Sequence, residues 1–249
     1  MLERRTEQEV DAMLYRMTWP LMKLFMRTAF GVLGGFRRSG VSNVPARGGV
    51  LLCPNHFSDA DPAAVAVALP RNAWFMAKAE LFEVPVLGAL MRLWHGFPVK
   101  RDSADRSALR RAEELLKAGE VVVIFPEGGG NPHGLLQPLH PGALMVALRA
   151  KVPVVPVALV NTSEIWTYGA PLPRRSGIPV LVTFGPALDL SDLEGQRGAI
   201  EKATARLTET LATMLQQPVP VGSPKRRTDG SDEEALPGSQ FSSKASAIR

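Results

Sequence analysis

A histidine and an aspartate five positions apart, His56 and Asp61, stand inside the run Pro54-Asn55-His56-Phe57-Ser58-Asp59-Ala60-Asp61-Pro62. On one straight helix the two would not share a face, so they meet only if a loop folds His56 back over a helix start. Asp61-Pro62 offers that start, as an N-cap followed by the first helical residue. A carboxylate held against one imidazole nitrogen fixes the tautomer and raises the ring's basicity, leaving the other nitrogen to accept a proton. That is general-base chemistry and needs no nucleophile of its own. Cys53 and Ser58 are at hand, but neither sits in a GxSxG elbow. The same pattern also fits a loop histidine that caps a carbonyl, beside an aspartate that is only an N-cap.

Three further clusters bear on chemistry. Phe125-Pro126-Glu127-Gly128-Gly129-Gly130-Asn131 follows the apolar run VVVIF. A glycine run after a buried strand lets backbone N–H groups approach an anion or an oxyanion, and it equally fits a plain flexible turn. It is neither a P-loop nor a dinucleotide fingerprint, since no Gly-Lys-Ser/Thr follows and Pro132-His133 replaces the required glycine and helix start. In the run Gly96–Asp102, Lys100 and Arg101 fall at a strand end and suit a phosphate, or simply form a solvated basic pair. Val152-Pro153-Val154-Val155-Pro156-Val157 reads as core. With one Cys, no HExxH, and His95, His133 and His140 in no ligand spacing, no metal is expected.

The elements that must position these residues alternate. Strand patterns fall at Gly49–Pro54, Ala73–Ala77, Phe97–Lys100, Val121–Phe125, Val154–Val160 and Val180–Phe184. Helical patterns fall at Pro62–Leu69, Val84–Leu93, Arg106–Lys117, Pro141–Ala150 and Asp192–Gln216. The expected fold class is α/β, with a mixed, largely parallel central sheet flanked by helices. Both candidate site loops then follow strands, where such sheets place their sites.

Residues 10–38 differ from this grammar. Tyr15, Trp19, Phe25, Phe30 and Phe36 stand among Met and Leu, and the charges between Ala12 and Gly35 are Arg16, Lys23 and Arg27, followed by Arg37 and Arg38. At those spacings the three charges form one narrow helical stripe. A basic stripe, a broad apolar face and interfacial aromatics describe an amphipathic helical segment lying in a membrane interface, with Pro20 as the first residue of a second helix. An ordinary amphipathic helix packed on the domain is the alternative. The expected organisation is thus an interfacial segment (1–39), a catalytic domain (40–217) and a disordered tail (218–249) rich in Pro, Ser, Gly and charge.

Composition is consistent with that division. The chain has 249 residues, 45% hydrophobic and 21% charged, with a net charge of +5. It is long enough to bury a core without disulfides or metal, and its single Cys fits a reducing compartment. The start MLERRTEQEV is no secretory signal, and no apolar run is long enough to span a bilayer. The expected location is the cytoplasmic face of a membrane, peripheral or monotopic. The basic residues cluster among apolar ones and no nucleic-acid motif occurs, so a lipid surface is favoured over nucleic acid.

In order, NHFSDAD, KAELFEVPVLG, GFPVKRD, FPEGGG and VPVVPVAL resemble the 1-acylglycerol-3-phosphate acyltransferases, the HxxxxD glycerolipid acyltransferase family. The resemblance covers about Gly40 to Phe184. It implies that His56, oriented by Asp61, deprotonates the free hydroxyl of a lysophospholipid, which then attacks the thioester of acyl-CoA or acyl-ACP, with no cofactor. It also implies substrate contacts from Asn55, Lys100, Arg101, Glu127, Gly128 and Gly129, with Arg101 matching the family's phosphate-contacting arginine. The third motif departs from the family's usual FPEGTRS: Gly129, Gly130 and Asn131 replace Thr, Arg and Ser. A missing charge-assisted contact is worth roughly 1.5–3 kcal/mol. The acceptor is then 1-acylglycerol-3-phosphate, with Lys100, Arg101 or Arg174-Arg175 carrying its phosphate, or another lysolipid such as a lyso-aminolipid or glycolipid. A non-catalytic membrane-binding homologue is the remaining reading.

Overall fold

The computed structural model describes residues 2–100 and 105–224. Arg101 and most of the expected tail, residues 225–249, lie outside the described residues. Among those described, strands β1 (Phe36–Ser39), β2 (Val50–Pro54), β3 (Ala73–Lys78), β4 (Gly96–Val99), β5 (Val121–Val123), β6 (Val154–Val160) and β7 (Val180–Phe184) form one sheet, ordered β1-β7-β6-β2-β5-β3-β4. Neighbours from β6 to β4 pair in parallel, β7 turns antiparallel to β6, and β1 runs with β7. The sheet is mixed and largely parallel, as the alternating patterns predict.

The central strands are apolar throughout because both faces are covered. Leu51 and Val122 point to one side, where α4 (Arg106–Lys117), α5 (Gly142–Ala150) and α7 (Ala199–Leu215) supply Leu116, Leu144 and Leu207. Leu52 and Val123 point to the other, against Val65 of α2 (Asp61–Ala68), Ile165 of α6 (Thr162–Ile165) and Phe30 of α1 (Leu2–Leu33). The register Val50↔Val121 and Cys53↔Pro156 brings the carboxyl ends of β2, β5 and β6 to one edge of the sheet. Three loops leave that edge together, beginning at Asn55, Ile124 and Asn161.

Several boundaries move, each for a local reason. The helix predicted at Val84–Leu93 begins later, as α3 (Leu87–Leu93), because Val86 adopts φ 65, a conformation that breaks helical continuity and strains a β-branched residue. The long helix predicted from Asp192 is a short 3₁₀ turn at Ser191–Leu193 and then α7, separated by Gly195 and Gly198 at positive φ. Strand β1 has no apolar alternation to announce it, being FRRS on a sheet edge. It takes Phe36–Ser39 out of the predicted helical segment and into the sheet.

Pro20 does not start a second helix. It lies inside the continuous α1. Tyr15 and Trp19 before it and Met22 after it pack on Ala66, Phe75, Leu93 and Trp94. That packing offsets the roughly 3 kcal/mol a mid-helix proline costs. The basic stripe is also divided. Lys23 Nζ donates to Leu69 O at 3.0 Å and Arg38 donates to Ala68 O at 2.7 Å. Both satisfy carbonyls at the carboxyl end of α2, where cations are favoured. Burial, with Arg38 nearby, lowers the Lys23 pKa. These two cations therefore serve the fold, while Arg16 and Arg27 remain exposed. Away from the packed face, Met13, Met17, Leu21, Leu24, Phe25 and Val32 are exposed. No helix among the described residues is long and apolar enough to cross a membrane.

Candidate active site

β2 delivers His56, and the side chain of Asn55 fixes where the strand stops. Asn55 Nδ2 donates to Leu159 O at 3.0 Å and its Oδ1 accepts from Leu159 N–H at 2.7 Å. The amide thus continues the β2–β6 ladder by one rung while the backbone turns away. The next peptide is gripped by the glycine turn. His56 N–H donates to Glu127 Oε1 at 2.7 Å, and Asn131 N–H donates to His56 O at 2.8 Å. These bonds link segments 71 residues apart, brought together because β2 and β5 are parallel neighbours.

The loop then folds back over α2. His56 Nδ1 donates to Asp61 Oδ2 at 2.9 Å, and the same oxygen accepts from Phe57 N–H at 2.7 Å and Ser58 N–H at 2.8 Å. Asp61 is one position further into the helix than the predicted N-cap. Ala60 occupies the cap and, with only a methyl group, makes no side-chain bond, while the Asp61 carboxylate is turned onto the preceding loop. Three donors on one oxygen hold it with its side chain wholly buried. His56 is 6% exposed and packs against Phe125, ring centroids 4.3 Å apart. With Nδ1 committed to the carboxylate, Nε2 is the nitrogen left to take a proton.

Glu127 secures the turn. Its Oε2 accepts from Gln137 N–H at 3.1 Å while Oε1 holds His56. Burial pushes its carboxyl up to about 7, against the opposing effect of its hydrogen bonds. Gly128 has φ 76, and a Cβ there would stand 2.7 Å from His140 Cδ2, so this position admits glycine alone. Asn131 closes the turn by donating to Leu135 O and accepting from His133 N–H at 2.9 Å.

The structure brings Asn55, His56, Asp61, Glu127 and the Gly128–Gly130 turn together. Asn55 and Glu127 direct their polar atoms at protein backbone. Lys100 is apart from them, exposed at the end of edge strand β4. β5 and β3 intervene between β2 and β4, a separation of about 14 Å at usual strand spacing. Arg101 lies outside the described residues. Arg174 is paired with Glu164 at 3.4 Å. Sequence reasoning missed Tyr168, whose ring stands edge-on to His56. It also missed the role of Ser58, which donates to Thr162 O and Trp166 O and accepts from Ala60 N–H. The one available signal was the polarity of Ser58 within a buried loop.

A buried His–carboxylate pair, clamped by a glycine turn at the carboxyl edge of a parallel sheet, has the geometry a general base needs to draw a proton from a hydroxyl. The chain belongs to the acyltransferase family, whose model matches residues 35–160 and so spans His56, Asp61 and the Phe125–Asn131 turn. It is 33% identical over 140 residues to the 1-acyl-sn-glycerol-3-phosphate acyltransferase of Bacillus subtilis, covering 56% of this chain and 69% of that one. It is 30% identical over 172 residues to the protein of the same name from Streptococcus pneumoniae, covering 67% of this chain and 57% of that one. The crystal structure of PlsC from Thermotoga maritima, a 1-acyl-sn-glycerophosphate acyltransferase, shares the fold, with a TM-score of 0.67 and 24% identity over 81% of this chain and 80% of that one.

Proposed function

We propose that the protein transfers a fatty acyl group from a thioester donor, acyl-CoA or acyl-ACP, to the free hydroxyl of a lysophospholipid, with 1-acylglycerol-3-phosphate as acceptor and phosphatidate as product. The observation that carries this reading is the 2.9 Å contact between His56 Nδ1 and Asp61 Oδ2 in a buried loop. His56 Nε2 takes the proton of the acceptor hydroxyl as its oxygen attacks the thioester carbonyl. The tetrahedral oxyanion needs preorganised donors, and the glycine turn bonded to the His56 backbone supplies main chain beside the imidazole. The carbon–sulfur bond then breaks, and His56 returns the proton to the leaving thiolate. Asp61 stabilises the imidazolium formed between the two transfers. Glu127 and Asn55 act through position, by fixing the backbone that carries His56.

The exposed apolar face of α1 supports docking on a membrane surface, where both acceptor and product reside. Arg16 and Arg27 flank that face for anionic headgroups. The buried free Cys53 fits the cytoplasmic side. Gly130 favours a second reading of the acceptor: position 130 offers no cationic side chain to hold a phosphate, as a lysolipid with another headgroup would not require.

The test is a lysolipid panel with acyl-CoA and with acyl-ACP, reading thiol release and product mass. Transfer to 1-acylglycerol-3-phosphate ahead of other acceptors is expected. Faster transfer to a lyso-aminolipid or glycolipid would establish the second reading, and no lysolipid-dependent thiol release with either donor would refute acyl transfer.

A further inference from the structure

The segment after β6 enters the site through contacts with the His56–Asp61 loop. Ser58 Oγ donates to Thr162 O and Trp166 O, an antiparallel bridge joins Ser58 to Thr167, and Gly169 N–H donates to Asp59 Oδ2 at 2.7 Å. Trp166 Nε1 closes the turn on Ala170 O at 2.8 Å. Tyr168 is therefore fixed on both sides to the loop that carries the base. Its ring meets the His56 ring edge-on, centroids 5.9 Å apart at 81°.

The same ring lies over Gly130. A Cβ at Gly130 would come within 1.7 Å of Tyr168 Cε2 and 1.9 Å of Cδ2. Gly130 is not among the glycines at positive φ, so the constraint at this position is the aromatic ring and not the backbone. Gly130 and Tyr168 thus form a matched pair, in which the tyrosine fills the space beside His56 that a side chain at 130 would otherwise take.

We propose that Tyr168 is a specificity-determining residue: its ring walls the acceptor side of the site and selects acceptors by the bulk of the headgroup. The favoured acceptor carries a small headgroup, and the ring takes the place of any side chain at position 130. This rests on the reading of His56 as the base for acyl transfer.

The experiment compares wild type, Tyr168→Phe and Tyr168→Ala on lysolipids that share one acyl chain and differ in headgroup: phosphate, phosphoethanolamine and phosphoglycerol. Tyr168→Ala is expected to shift the kcat/KM ratio at least tenfold toward the bulkier headgroups, with the donor KM unchanged. Tyr168→Phe should keep the wild-type ratio. An unchanged ratio in Tyr168→Ala, or the same shift in Tyr168→Phe, would overturn the proposal. A second arm reads thermal stability without activity. Gly130→Arg should lower the melting temperature in the wild-type background, and less so in Tyr168→Ala. An equal drop in both backgrounds would refute the pairing. Failure of wild type to acylate any acceptor would instead overturn the underlying reading, while the stability arm still reports on Gly130 and Tyr168.

Discussion

At the carboxyl end of β2 the polar side chains of His56, Asp61 and Glu127 are buried, whereas along α1 the apolar side chains of Leu21, Leu24 and Phe25 are exposed, 67%, 62% and 68% respectively. Both arrangements run against ordinary partition, since buried polar groups cost free energy unless paired and large apolar patches rarely face water. The cost at the first is offset only in part within the chain: Asp61 Oδ2 has three donors and Glu127 has a backbone amide on each oxygen, while Asp61 Oδ1 is buried without a hydrogen-bond partner and burial still raises the Glu127 carboxyl. Among the described residues the second has no such compensation. The candidate site is held by contacts within the chain, and the outer face of α1 is left facing solvent.

The sharpest way to break this comparison is at the imidazole. His56→Ala should lower kcat by about a thousandfold, within the usual range for removing a general base, with an unchanged circular dichroism spectrum. Activity within tenfold of wild type would remove His56 from the mechanism.

Glu127 tests whether the corner is held by a protein-internal balance. Its carboxyl is raised from 4.5 to about 7 by burial. Between those values the folded state binds the extra proton. The stability from this group is therefore fully present below pH 4.5 and is lost as pH rises through 7, by about 3 kcal/mol in all. Denaturant titrations from pH 4.5 to 8 should show the wild type losing stability relative to Glu127→Gln, which cannot titrate. Parallel curves would mean that burial does not control this carboxyl.

The outer face is probed by Leu21→Ser with Phe25→Ser. Each side chain gains roughly 1.5–3 kcal/mol on full burial. Co-sedimentation with anionic vesicles should weaken at least tenfold, with the melting temperature unchanged because neither residue is packed. Retained binding would locate the membrane contact elsewhere.

The smallest effect separates the two kinds of cation on α1. Arg27→Gln should weaken vesicle binding about fivefold, the contribution of one basic residue near an anionic surface. Lys23→Gln should leave vesicle binding unchanged and instead cost about 1 kcal/mol of stability, through the lost bond to Leu69 O. Equal effects on binding would restore Lys23 to the headgroup stripe.

Much of this was legible in the sequence. The His56–Asp61 contact closes a loop of five residues, so the spacing allows it, and the order of the surrounding motifs favours it over a plain N-cap. The apolar runs of β2, β5 and β6 announce buried strands for the same short-range reason. The Glu127 contact to His56 was hidden, because it depends on which strand lies beside β2, and parallel neighbours leave no mark in local periodicity. Tyr168 was hidden more deeply. It follows β6 in the run Trp166-Thr167-Tyr168-Gly169, with no apolar pattern, and reaches the site only through bonds to Ser58 and Asp59. Pro20 misled because its local preference is real, and packing on both sides of it overrode that preference.

The amino-acid sequence by itself determined the α/β alternation, the glycine turn and the apolar stretch of α1, all carried by spacing within one segment, and it allowed the pairing of His56 with Asp61, which the order of the motifs along the chain favoured. The tertiary structure decided which cations of α1 face α2, that Glu127 and Asn55 spend their polar atoms on backbone, and that a tyrosine 38 residues after Gly130 covers it. Those outcomes depend on which segments the sheet order brings together. The contacts are between chain segments distant in sequence, and no single segment encodes them.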